Sequence, residues 1–180
     1  PSAVVEPGAQ LGVDVEIGPL CYVGAGAVLG DRVRLANHVS VIGDTTIGSG
    51  TQVQAFAALG GLPQDRKHKG GPSTLTVGAN CDIRESVTMH RGTDYGRAAT
   101  VVGDNGFFLA YSHVAHDCIV GDNVTLTHAS TLGGHCEVGD GAIIGGHAAV
   151  HQFVRIGHHA FVAGMAGVVG DVIPYGMAMG

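Results

Sequence analysis

Aliphatic side chains return every sixth residue at Val5, Leu11, Ile17, Val23, Leu29, Leu35, Val41, Ile47, Val53 and Leu59. The phase resumes at Val77, Ile83 and Met89, slips by one residue, and then runs unbroken from Val102 and Phe108 through Val114, Val120, Leu126, Leu132, Val138, Ile144, Val150, Ile156 and Val162 to Val168. Four residues after each aliphatic comes a small or β-branched side chain, as at Ala27, Val33, Val39, Thr45, Val87, Ser130, Ala142 and Ala148. Two inward positions in six leave the rest for turns and solvent, so each repeat is one short strand and one corner. Composition agrees: 31 Gly in 180 residues are incompatible with long helices, and 13% charged residues are too few for a disordered chain. The expected fold is all-β.

This spacing resembles the hexapeptide repeat of the left-handed parallel β-helix, in which three short strands make one triangular coil of about 18 residues. The resemblance, not the spacing, supplies the handedness. It predicts one β-helix domain over 1–180 with about eight coils stacked at the strand spacing. Cys21, Cys81, Cys118 and Cys136 all occupy the small inward site, so they are expected as buried free thiols. No CxxC pair suggests structural zinc. The formal charge of -6 argues against a nucleic-acid footprint, and no apolar run reaches the length of a spanning helix. No charged-then-apolar leader is visible, so a cytoplasmic location is expected.

Two excursions break the ladder. One is the Gly- and Pro-flanked stretch 60–73, which holds both lysines; the other runs from Arg91 to Thr100. Loops on a rigid solenoid are natural carriers of ligand contacts. Among the 11 histidines, most fall at turn positions that assign them no role. His90 and His151 instead replace the usual Gly after an aliphatic, and His116 sits one turn position later beside Asp117. Residues one coil apart stack, so His116, Gly134 with His135, and His151 with Gln152 should form a column on one edge.

An imidazole can take a proton from an alcohol near neutral pH, and a bare glycine N–H can support an oxyanion. Both are what acyl transfer requires. Without a nucleophile-elbow serine, direct attack by the acceptor fits better than a covalent intermediate. Side chains adjacent on a strand diverge, so Asp117 either fixes the imidazole or organises the turn. As a turn residue, His116 is expected to be exposed.

The segments Gln64-Asp65-Arg66-Lys67, Ile83 through Thr93, Ala115-His116-Asp117-Cys118 and Ala149 through Phe153 resemble the UDP-N-acetylglucosamine O-acyltransferases that begin lipid A synthesis. The similarity runs from Pro1 to Gly180. It implies that His116 is the general base that activates the glucosamine 3-hydroxyl for attack on a 3-hydroxyacyl acyl-carrier protein. Asp117 would support the base, and Gly134 would donate its N–H to the oxyanion. Asp65, Lys67, His90, His113, His135, His151 and Gln152 would contact the sugar nucleotide or the acyl donor. Gly164 would end the acyl groove and leave it open to a long chain. The family implies a homotrimer with sites between prisms, no cofactor, no metal, and a helical C-terminal domain that lies outside this chain.

Three other readings share the scaffold. A sister N-acyltransferase would need a uridine-binding domain ahead of the first repeat. A γ-class carbonic anhydrase would hold zinc with three histidines at a subunit interface, and a non-catalytic β-helix would only bind or assemble.

Overall fold

In the computed structural model, which describes residues 2–180, every regular element is a strand, and most are two residues long. The six-residue period explains this. Two extended residues place one side chain in and one out, and the next four must turn the corner and re-enter the adjacent face. The 26 strands stack into three parallel sheets of nine, eight and nine, and each sheet takes every third strand of the chain until the last, Met177–Ala178, which follows Phe161–Val162 on the third face with one strand between. The first face runs from Val4–Val5 through His113–Val114 to Gly167–Val168; the second from Gln10–Leu11 through Ile119–Val120 to Arg155–Ile156; the third from Glu16–Ile17 to Met177–Ala178. The architecture is a three-sided parallel β-helix, as the period predicts.

Register follows from the inward residues. Val114 pairs with Leu132 and Leu132 with Val150, eighteen residues apart each time. The expected aliphatics form the buried core, and all four cysteines are buried free thiols. Val5 and Leu11 are exposed although they keep the phase, because the first coil has a neighbour on only one side.

One coil departs from uniform packing. Phe108 is the only aromatic in the ladder and is fully buried. The small inward site before it is Gly106, and a Cβ there would lie 2.8 Å from Phe108 Cζ. The ring thus takes volume that Ala, Val or Cys fills in other coils.

Both excursions leave the same corner. The strand Ala58–Gly61 is on the first face and Thr74–Val77 on the second, so the first loop spans 62–73 between them. Likewise Thr88–His90 leads to Ala99–Val102, so the second loop closes at Ala98, two residues sooner than the sequence suggests. Ile47 therefore pairs with Val77, and Val77 with Val102, so the second sheet keeps its register through both lengthened coils, while on the first face the pairing with Thr88–His90 shifts between Leu59 and Gly61.

Candidate active site

The corner that carries both excursions also carries the histidine column. His113–Val114 ends on the first face and Ile119–Val120 begins on the second, so His116 and Asp117 form the turn between them. Asp117 has φ 61°, the left-handed conformation, and His135 and Phe153 repeat it at 64° and 66° in the next two coils. Asp adopts this region more readily than most residues. The turn swings the Asp117 carboxylate back beside the imidazole, so His116 Nδ1 lies 2.8 Å from Asp117 Oδ2. The strand argument that adjacent side chains diverge fails here because the pair is not on a strand.

Asp117 fixes the imidazole and organises the corner at once. It is fully buried and accepts from the Thr93 amide at 3.1 Å, the Thr93 hydroxyl at 2.7 Å and the Arg97 amide at 2.7 Å, in addition to its bond with His116. Burial pushes its carboxyl up, but these donors outweigh burial and hold it below the usual carboxylate range. An ionised Asp117 fixes the proton on His116 Nδ1 and leaves the Nε2 lone pair for a substrate. Only 4% of His116 is exposed, contrary to the expectation for a turn residue, because the excursions cover it.

Around Nε2 the site is polar. Asp65 Oδ2 lies 3.9 Å away, held by the Tyr95 hydroxyl at 2.6 Å, and Asp65 Oδ1 accepts the Lys67 amide at 2.7 Å. The Tyr95 bond first, then the Lys67 amide, keep Asp65 below its ordinary pKa. Gly134 lies one coil on, where a Cβ would sit 2.7 Å from His116 Nε2 and closer still to Cε1. Only glycine leaves the ring its place. The Gly134 amide donates to no acceptor among the described residues.

Other histidines crowd the His116 ring in neutral form. His135 lies edge-on to His116 at 5.1 Å and stacks on Phe153 at 4.4 Å. Burial is the leading cause of its lowered pKa. His113 bonds Thr88 Oγ1 at 2.7 Å and meets His90 edge-on at 5.0 Å. Burial, then His113 and His116, push His90 down to about 4, and its Nδ1 has no partner among the described residues.

His116, Asp117 and His135 place one donor atom each within 4.8 Å of one another, a spacing compatible with a metal. Four donors already occupy the Asp117 carboxylate, so the trio reads as a hydrogen-bonded cluster rather than a ligand set.

The structure therefore gathers Asp65, His90, His113, His116, Asp117, Gly134 and His135 around one corner. Lys67 is exposed, and its backbone, not its ammonium, holds Asp65. His151 and Gln152 lie on the same corner but at the surface, and Gly164 lies on another, between the third and first faces. Sequence reasoning missed Thr93, Tyr95 and Arg97. Their signal was the excursion that follows His90, whose irregular length hides which residue touches what.

The acyl-[acyl-carrier-protein]–UDP-N-acetylglucosamine O-acyltransferase of Mesorhizobium japonicum is 62% identical over 119 residues, 66% of this chain and 43% of that protein. Its namesake from Bartonella henselae is 56% identical over 180 residues, 100% of this chain and 66% of the relative. A crystal structure of a UDP-N-acetylglucosamine acyltransferase superposes with a TM-score of 0.98 at 42% identity, covering 99% of this chain and 69% of that one. The chain belongs to the UDP-N-acetylglucosamine acyltransferase family. Membership brings the left-handed coil, which the spacing alone leaves open. No protein-family model matches the chain. The chain spans less than two thirds of the length of those two curated relatives, 43% and 66%.

Proposed function

We propose that the protein transfers a 3-hydroxyacyl group from acyl-carrier protein to the 3-hydroxyl of UDP-N-acetylglucosamine, with His116 as general base. The observation that carries this reading is the His116 imidazole, bonded through Nδ1 to a buried Asp117, with Nε2 free and Gly134, whose amide is unengaged, packed against the ring. The acceptor hydroxyl gives its proton to Nε2 while its oxygen attacks the thioester carbonyl carbon. Charge gathers on the carbonyl oxygen, where the Gly134 N–H stabilises it. The C–S bond then breaks, and the carrier thiolate takes the proton back from the imidazolium. Asp117 stays ionised throughout.

Asp65, Lys67, His90, His113, His135, His151 and Gln152 contact the acceptor or donor in this scheme, and Gly164 bounds the acyl groove. His151 and Gln152 are exposed on the catalytic corner and Gly164 on another, an arrangement suited to a cytoplasmic threefold in which the edge of one prism meets that of its neighbour. Light scattering on the full chain should then give three times 18.2 kDa.

The test incubates the protein with 3-hydroxyacyl carrier protein and UDP-N-acetylglucosamine and looks by mass spectrometry for the O-acylated sugar nucleotide. The base and backbone donors suffice for the chemistry, so dialysis against a chelator should leave the rate unchanged. Activity that requires zinc would move the reading to the carbonic-anhydrase class, and a folded protein that forms no acylated product would remove it.

A further inference from the structure

We propose that Tyr95 is a positioning residue for the acceptor hydroxyl, holding Asp65 one oxygen's width away from His116; this inference rests on the acyl-transfer reading above.

Asp65 belongs to the loop 62–73, outside the sheets, so its carboxylate is placed only by what it bonds. The Lys67 amide takes Oδ1 at 2.7 Å, and the Tyr95 hydroxyl takes Oδ2 at 2.6 Å. Oδ2 is also the atom that faces His116 Nε2 at 3.9 Å. That gap is too long for a direct hydrogen bond. A hydroxyl oxygen about 2.8 Å from each atom would bridge it with an angle of about 90° at the oxygen, donating its proton to Nε2 with Asp65 alongside.

Without the phenol, Oδ2 has no donor in the protein except the imidazole itself. An ionised carboxylate beside an imidazole gains most by closing onto the protonated ring. That contact would fill the acceptor's place and hold the proton the base must release. Tyr95 prevents this by giving Oδ2 a competing bond. The bond to Asp65 is also the leading cause that raises the Tyr95 pKa, so the phenol remains a donor across the working pH range.

Tyr95 can be changed without releasing the loop. Asp94 Oδ2 accepts the Lys69 amide at 2.9 Å and the Gly71 amide at 3.1 Å, and His68 Nδ1 lies 3.3 Å from Asp94 Oδ1. The two excursions stay joined when only the hydroxyl is removed.

The experiment is an NMR titration of the His116 imidazole in the full chain. Charged and titratable groups surround this ring from each neighbouring element: Asp65 from the first excursion, with Lys67 acting on it; Asp117 from its own turn; His135 from the next coil, with Arg97 of the second excursion acting on it; and His90 and His113 from the first face. Tyr95→Phe should raise the His116 pKa by about half a unit or more, because Asp65 closes onto the ring. In an Asp65→Asn background the same change should have no effect. In steady-state assays Tyr95→Phe should move the acid limb of kcat/KM to higher pH by the same amount. A His116 titration that is unchanged in Tyr95→Phe, or a shift that survives Asp65→Asn, would overturn the proposal. The titration needs no turnover, so it is read separately from a failure of the wild-type protein to transfer acyl groups.

Discussion

His90 shows how burial, helped by two neighbouring imidazoles, assigns a chemical state. Its pKa is pushed down to about 4 from the ordinary 6.5, so between those values the unfolded chain binds a proton that the folded chain refuses. Stability therefore rises with pH across that window, is complete above about 6.5, and is lost as pH falls toward 4. His113 and His135, also lowered, act in the same direction. The melting temperature should fall between pH 7 and pH 4.5, and His90→Gln should flatten that fall without abolishing it. An equal slope in wild type and variant would show that His90 does not titrate as its burial requires. At this scale the sequence was partly legible. His116, Gly134 and His135 could be placed by counting coils, and their mutual contact follows from register. The Asp117 bond was open in the sequence, because the left-handed turn that makes it depends on one backbone angle, and among the described residues 19 non-glycine positions, Asp117 included, have that sign of φ.

Single coils explain what the excursions and the core cannot show from spacing. Phe108 fits because Gly106 gives it room, so the two are one packing unit. Phe108→Leu should destabilise by about 1–2 kcal/mol through lost contact, and Gly106→Ala by about 1–3 kcal/mol through overpacking. The double variant should be more stable than the sum predicts, since the smaller ring site accepts the new methyl. Denaturant midpoints of the four proteins measure this, and additive losses would mean that the pair is not coupled. The element that carries Gly164 supports a functional prediction as well. A Cβ at Gly164 would lie 3.2 Å from the Gly146 carbonyl oxygen, tight but open on the outward side, so a side chain there must project from the corner. Gly164→Met should shift preference toward shorter acyl donors, with about a fourfold loss of affinity for each methylene left unburied. Competition between carrier proteins of graded acyl length reads this directly, and an unchanged preference would free Gly164 of the role. The excursions were recognisable as breaks in the ladder. Their contacts were not, because no period relates Thr93 or Tyr95 to the residues they touch.

As a whole, the molecule is a rigid prism on which one corner has been elaborated. Its fold was almost fully legible, since the inward aliphatics every six residues leave few other ways to bury them, and only the handedness had to come from resemblance. The other corners repeat simple devices. Between the second and third faces, Asp31, Asp104, Asp122 and Asp140 each accept a backbone N–H from the coil before. Such regularity gives the excursions a fixed platform, and it lets a substitution at the site be separated from a change in folding. His116 is buried, so its removal should cost some stability; the coil hydrogen bonds that hold the corner, such as the His135 amide to the residue 116 carbonyl, are made by the backbone and remain. The most direct measurement is the single-turnover rate of acyl transfer by His116→Ala beside wild type, at a temperature where circular dichroism shows both folded. General-base catalysis by this imidazole predicts a loss of about a hundredfold to ten-thousandfold. A folded His116→Ala protein that transfers the acyl group at the wild-type rate would contradict the account.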